Sequence, residues 1–373
     1  MSSSSRPAAP GLHDVARLAG VSHQTVSRVL NDRPHVREVT RAKVEQAVRE
    51  LGYRPNVAAR TLVTRRATTL GIVAVGATYF GPASLLAATE QAARAEGWFV
   101  SIVSLRDLAG TALADALGQL GQLAVAGVVV IAPQRDAARE LRERPPTVPV
   151  VAVDGGLEAD LPVVRVDQAA GAALLTQHLL DLGHATVHHV AGPEDWLQAE
   201  ERVAGWSDVL RRAGARVPEP VLGDWSPRSG YEAGLLLAAD PAVTAVFAGN
   251  DQMALGVVRA LQDSGLAVPD DVSVVGFDDI PEAAYVGPGL TTIRQDFAEV
   301  GRRSVRHLLA LVRGEPVPLD GVVAPQLVVR ASTAAAPRSR RTVPATPPAP
   351  TTYPTPDPAL PRTPGPDERT SAA

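Results

Sequence analysis

From residue 68 to residue 333 the chain repeats one pattern, a short continuous apolar run followed by an Ala/Leu-rich stretch of helical length. The runs are LGIVAV (70–75), VSIVSL (100–105), GVVVIA (127–132), PVVAVD (149–154), VVRVD (163–167), ATVHHVAG (185–192), AVFAGN (245–250) and VSVVGFD (272–278). Most lack the apolar–polar alternation of a sheet with one wet face, so the strands are expected to be buried on both sides. Residues 83–95, 171–182 and 251–264 fit helices between them. Such alternation implies right-handed βαβ units and doubly wound parallel sheets. The ~265 residues involved are roughly twice what one hydrophobic core organises, which predicts two lobes.

What flanks this region is different. Residues 1–66 hold 12 Lys and Arg against five Asp and Glu, a surplus of seven that leaves the rest of a chain of net charge -4 at -11. A basic segment on an acidic body points to a polyanion partner for that segment alone. From residue 335 onward there are 11 prolines in 39 residues and almost no large apolar side chain, a composition expected to stay disordered. The absence of cysteine excludes disulfides, thiolate metal sites and cysteine nucleophiles. The first residues, MSSSSRPAAP, contain no apolar signal core, and no run approaches the ~18 apolar residues of a membrane span. A soluble, cytoplasmic protein is expected, with no membrane partner.

Residues 12–30, LHDVARLAGVSHQTVSRVL, read as two short amphipathic helices, the first lined by Val15, Leu18 and Ala19 and the second by Val26, Val29 and Leu30. Gly20 suits the turn between them and Ser22 suits the cap of the second. A third helix over 38–51 would close the core with Val44, Val48 and Leu51. Two helices joined through a short Gly-containing turn make a helix-turn-helix. If its second helix enters a major groove, His23, Gln24 and Thr25, then Arg28, face base edges, where Gln pairs with adenine and Arg with guanine.

Three strand ends carry hydrogen-bonding side chains, Asp154, Asn250 and Asp278, at the place where open α/β sheets bind ligands. Carboxylates and an amide suit vicinal hydroxyls, which donate and accept together. Trp225 in GDWS offers a flat apolar surface for a sugar ring, and Arg202 in ERVAGW a forked donor. Together they describe a carbohydrate site. His184, His188 and His189 do not make a metal centre, since adjacent strand residues point to opposite faces and acidic and thiolate ligands are missing. No nucleophile elbow, Walker loop or zinc-ligand spacing occurs, so neither an enzyme nor a cofactor is expected.

The order of these motifs resembles the lac repressor family. DVARLAGVSHQTVSRVLN and LGYRPNVAARTL carry the resemblance at the amino terminus, and GDWS (223–226), NDQMALG (250–256), SGLAVPDDVSVVGFDD (264–279) and LTTIRQDF (290–297) extend it to about residue 333. It implies a flexible start (1–11), an all-α helix-turn-helix domain (12–55), a hinge (56–66) and a two-lobe, periplasmic-binding-protein-like α/β domain (68–333). The lobes would comprise about 68–166 with 295–323, and about 167–294 with 324–333. In this family the hinge becomes helical only when two subunits meet over DNA. Asn56, Ala59 and Leu62 would be its DNA contacts, Leu62 as an apolar wedge in the minor groove. Asp154, Arg202, Trp225, Asn250 and Asp278 match the family's effector contacts, Gln295 and Phe297 its crossover contacts, and Tyr79 and Leu85 its apolar pocket wall. Three positions depart from the pattern. Arg37 stands where a serine could cap the third helix, and Val75 and Val166 replace a serine and a phenylalanine of the pocket.

The expectation is a homodimeric repressor on double-stranded, pseudo-palindromic operator DNA, released by a small sugar effector, first of all a galactoside. Prolines in the tail, where a tetramerising helix would need heptad leucines, favour the dimer. One alternative keeps the architecture but uses a purine or phosphosugar co-repressor that strengthens DNA binding. A free sugar-transport protein is the other, and the fused helix-turn-helix speaks against it.

Overall fold

Three helices make up the amino-terminal unit: α1 (Leu12–Ala19), α2 (His23–Leu30) and α3 (Glu38–Leu51). The computed structural model describes residues 10–30, 36–53, 68–155 and 161–340, and the chain divides into two compact units after Thr68. Gly20 closes α1 in the left-handed region (φ 66°), where a side chain would be strained, and Ser22 Oγ accepts the Thr25 N–H at 3.1 Å to start α2. Val15, Ala16, Ala19, Val26, Val29, Val44 and Ala47 form the buried centre. Leu18, expected in that core, is 49% exposed. The buried stripe of this two-turn helix runs instead through two alanines, whose small side chains let α1 lie close on α3. Arg37 occupies the N-cap of α3 and makes no side-chain cap bond.

In the second unit, β1 (Thr69–Val75), β2 (Phe99–Leu105), β3 (Val128–Ile131), β4 (Val150–Val153), β5 (Val163–Val166) and β11 (Val322–Val323) form a six-stranded parallel sheet in the order β11-β5-β4-β3-β1-β2. Alternate residues of β1 serve opposite faces. Leu70, Ile72 and Ala74 pack under α4 (Phe80–Ala95) and α11 (Phe297–Arg313), whereas Val73 and Val75 pack under α5 (Ala112–Gln122) and α6 (Arg135–Glu143). β2 departs from two-sided burial: it is an edge strand, with Phe99 58% and Ile102 45% exposed.

The second lobe has a parallel sheet of β6 (His188–Ala191), β7 (Val221–Leu222), β8 (Ala245–Ala248) and β9 (Ser273–Val275) in the order β7-β6-β8-β9. α7 (Gln168–Asp181) and α8 (Leu197–Arg212) cover one face, α9 (Pro227–Ala239) and α10 (Asp251–Asp263) the other. β10 (Thr292–Arg294) pairs antiparallel with β12 (Gln326–Val328), and Thr291 and Arg294 bridge back to Val275 and Asp278. The chain therefore passes between the lobes three times, after β5, after β10 and after β11. Sequence periodicity did not reveal β7, β10, β11 and β12, which are only two or three residues long.

The carboxy-terminal segment is ordered further than its composition suggests. Ala336 N–H donates to Leu182 O, and the guanidinium of Arg340, 9% exposed, donates to the carbonyls of Leu237, Ala238, Asp240 and Val243. A cation on the last carbonyls of α9 satisfies groups that helix geometry leaves open. Order thus reaches Arg340, not 334. The remainder of the expected disordered tail lies outside the described residues.

The three histidines separate. His188 Nε2 meets Arg216, His189 stacks on Phe247 with its Nδ1 at 2.8 Å from the Phe247 carbonyl, and His184 joins Thr244, Ser273 and the Ala334 carbonyl. Among the described residues no group of three or more His, Cys, Asp and Glu could hold a metal, and no helix is long and apolar enough to cross a membrane.

α7 and α8 touch backbone to backbone at Gly205, where a Cβ would stand 2.2 Å from the Ala169 carbonyl oxygen. Gly205→Ala is expected to force the two helices apart and cost about 1–3 kcal/mol, as overpacking does. Urea unfolding of the variant against the parent protein measures this.

Candidate functional site

The amino-terminal unit presents His23, Gln24 and Arg28 on the exposed side of α2, with Thr25 half-buried. The Thr25 hydroxyl lies 2.9 Å from Ser22 Oγ, so the residue is partly engaged in holding the start of the helix. Val26 and Val29 point the other way, into the core. The arrangement fixes one wet face of a short helix bearing an amide and a guanidinium, the two groups suited to reading base edges in a major groove. Asn56, Ala59 and Leu62 lie outside the described residues.

In the second unit a cleft opens between the lobes, lined by Tyr79, Phe80, Asp154, Trp196, Gln198, Arg202, Trp225, Asn250, Asp278, Gln295 and Phe297 among others. Three of its polar residues sit at strand ends. Asp154 follows β4, Asn250 follows β8, and Asp278 lies just beyond β9. Asp154, Trp225 and Asp278 have positive φ (54°, 70° and 114°), a region that side chains rarely adopt and that clusters at functional sites. An aromatic wall completes the cleft. Trp196 stands edge-on to Tyr79 at 5.2 Å and to Trp225 at 5.6 Å. The Trp225 ring fits only because residue 192 is glycine, whose Cβ would lie 2.1 Å from it.

Arg202 is the centre of the polar network, 4% exposed. Its Nε donates to Gln168 Oε1 at 3.0 Å, its Nη1 to the Gly249 carbonyl, and its Nη2 lies 3.5 Å from Asp278 Oδ1. The guanidinium carbon rests 3.7 Å above the Phe277 ring. Asn250 has a structural duty: its Oδ1 caps α10 on Met253 N–H at 2.8 Å and its Nδ2 holds the Trp225 carbonyl at 3.1 Å. The cap thus falls to Asn250, while Asp251 is fully buried and accepts from Thr292 Oγ1 and Ile280 N–H.

The start of α8 grips the first lobe. Gln198 Nε2 donates to Asp154 Oδ2 at 2.7 Å, Glu200 pairs with Arg135, and Glu201 with Arg165. Asp154 Oδ1 and Trp225 Nε1 are buried with no partner, an acceptor and a donor left open beside the cavity. Burial raises both Asp154 and Asp278 to a pKa of about 6, against the opposing pull of Arg202 and their amide partners. Desolvation likewise lowers the pKa of Arg202, opposed by the carboxylates around it.

Eight of the nine residues expected at an effector site line this cleft. The ninth, Leu85, does not: it is 1% exposed and belongs to the first lobe's core. It lies on the face of α4 turned to the sheet, and Phe80, at the start of that helix, supplies the apolar wall instead. Sequence reasoning missed Phe80, Trp196 and Gln198. The position of Gln198 four residues before Arg202, on the same helix face, was a usable signal for it.

Residues 11–56 match the family described as bacterial regulatory proteins, lacI family, and residues 176–333 match the periplasmic binding protein-like domain. The chain is 36% identical to the lactose operon repressor of Escherichia coli (strain K12) over 336 residues, covering 89% of this chain and 93% of that protein. It is 35% identical to the ribose operon repressor of the same organism, over 80% of this chain and 92% of that one. A crystal structure of the lac repressor dimer bound to operator and the anti-inducer ONPF superposes with a TM-score of 0.81 at 35% identity, covering 87% of this chain and 99% of that chain.

The buried carboxyls of the cleft can be titrated. Because Asp154 and Asp278 hold their protons more tightly folded than unfolded, the stability they give is full below the unfolded value of 3.8 and is lost as pH rises through about 6. Asp154→Asn and Asp278→Asn are therefore expected to be more favourable, relative to the parent protein, at pH 7 than at pH 4. Urea unfolding of all three proteins at both pH values tests the sign.

Proposed function

The chain belongs to the lacI family of bacterial regulatory proteins, and from that membership we propose that it is a transcriptional repressor, held on operator DNA as a homodimer and released by a small neutral sugar. The observation that carries the effector half is the pairing of a buried polar set (Asp154, Asn250 and Asp278 at strand ends, Arg202 on α8) with an aromatic wall (Tyr79, Trp196, Trp225) in one cleft. Carboxylates, amides and a guanidinium match the alternating donors and acceptors of vicinal hydroxyls, and flat rings match a sugar's apolar face. The charge balance favours a neutral ligand over a phosphosugar. Among the described residues lining the cleft Arg202 is the one cation, and it already faces two carboxylates, so a phosphate here would meet net negative charge. Within neutral sugars, the retained GDWS motif around Trp225 and the likeness to the lactose operon repressor favour a galactoside.

On the DNA side, α2 would enter the major groove with Gln24 and Arg28 toward base edges. Leu62 and its neighbours Asn56 and Ala59 would act at the minor groove, as the family resemblance implies. Exposed Phe99 and Ile102 on the edge strand β2 provide apolar surface for a second copy. Release requires the sugar to prefer the DNA-incompetent state, and linkage then makes operator weaken sugar binding by the same factor.

Galactosides are expected to release a labelled operator from the purified protein, while glucose-configured disaccharides, ribose, phosphosugars and purines leave it bound. Release by a purine or a phosphosugar, or tighter operator binding on its addition, would overturn the effector assignment. Arg202→Ala is expected to abolish the sugar response while operator affinity stays within a few-fold, read by fluorescence anisotropy. Leu62→Ala is expected to weaken specific operator binding far more than binding to random duplex; equal losses on both would remove the wedge.

A further inference from the structure

Gln168 does not line the cleft, yet it is 1% exposed and both ends of its amide are engaged. It is the first residue of α7, immediately after the first passage between lobes. Its Oε1 accepts from Arg202 Nε at 3.0 Å, and its Nε2 donates to Gln295 Oε1 at 2.9 Å. Gln295, at the second passage between lobes, donates in turn from Nε2 to Asp278 Oδ1 at 2.6 Å. Asp278 Oδ1 lies 3.5 Å from Arg202 Nη2, which closes the ring.

The direction of these bonds is fixed by chemistry. A guanidinium can only donate and a carboxylate can only accept. An amide between them must turn its oxygen to the arginine and its nitrogen onward, and the next amide must repeat that orientation. Two glutamines placed between Arg202 and Asp278 thus have one satisfying arrangement. Gly205, one turn beyond Arg202 on α8, permits the close approach to Ala169 that brings the arginine to Gln168.

We propose that Gln168 is a positioning residue for Arg202, and that Gln168 and Gln295 form a one-way amide relay locking the guanidinium and the Asp278 carboxylate in register across two of the three passages between lobes. Its effect on effector binding rests on the reading of the cleft as a sugar site, whereas the relay itself is a property of the free protein. Gln168→Glu separates a relay from mere filling of space, because it keeps shape and changes polarity. A carboxylate at 168 still accepts from Arg202 but cannot donate to Gln295. Gln295 must then turn over and donate to residue 168, leaving its own oxygen against Asp278. That contact is satisfied only when Asp278 carries a proton, so the negative charge moves from 278 to 168.

The experiment uses the full chain, free of DNA and sugar, and follows the Arg202 Nε–H and Asp278 carboxyl resonances by NMR. In Gln168→Glu, Asp278 is expected to keep its proton to a pH about one unit or more above the parent protein, with the Arg202 Nε–H still bonded. In Gln168→Leu the Nε–H resonance should shift and exchange faster. The galactoside that releases the parent protein should bind the Leu variant about tenfold or more weakly, the scale of a lost bond to a charged group. An unchanged Asp278 titration in Gln168→Glu, or unchanged Nε–H protection in Gln168→Leu, would overturn the relay. If no sugar releases the parent protein from operator, the sugar reading falls instead, and the two resonances still decide the relay.

Discussion

A guanidinium taken out of water costs several kcal/mol unless its donors are met, and Arg202 is the buried cation around which the two-lobe unit is arranged. Its acceptors come from separate parts of the chain: the Gly249 carbonyl after β8, Asp278 beyond β9, and Gln168 at the start of α7. Phe277 supplies the flat surface beneath it. None of these groups could satisfy the arginine alone. Their convergence requires α8 to lie against α7 at a glycine and the chain to bend sharply at Asp278. The fold of the second lobe and the chemistry of its cleft are therefore one problem with one solution.

The backbone around the cleft stores part of the cost. Asp154, Trp225 and Asp278 all hold conformations that unfavourable sterics make rare, on the order of 1–3 kcal/mol each. They persist because neighbours over-determine them: Asn250 clamps the Trp225 carbonyl while capping α10, and Gln198 and Gln295 hold the two carboxylates. The polar groups are thus oriented before any ligand arrives, and a ligand need not supply that ordering energy. Gln198 also ties the second lobe to Asp154 of the first, so the bond that orients the carboxylate also holds the lobes together.

Much of this was legible in the chain. Continuous apolar runs located the principal strands because burial on two faces leaves no polar positions, and the third helix of the amino-terminal unit fell on its expected bounds, Glu38–Leu51. Asp154, Asn250 and Asp278 stood out because open α/β sheets bind ligands beyond the carboxyl ends of their strands. Other features were hidden for physical reasons. Whether an apolar run is central or an edge strand depends on the order of strands, so the exposed side of β2 could not be read. Leu85 was placed by likeness of position, which does not carry the direction of a side chain on a helix. Gln168 left no trace because its partner Gln295 is 127 residues away and neither belongs to a periodic pattern.

Arg340 has a consequence for how the chain comes into being. The carbonyls of Leu237, Ala238, Asp240 and Val243 are closed by a side chain about a hundred positions later in sequence. A polypeptide emerging from the ribosome at about 5–20 residues per second exposes α9 well before its closing cation exists. The core of the amino-terminal unit, built from residues between Val15 and Ala47, can settle while translation continues. The second lobe is sealed only by Arg340, so its maturation waits until translation has passed that residue.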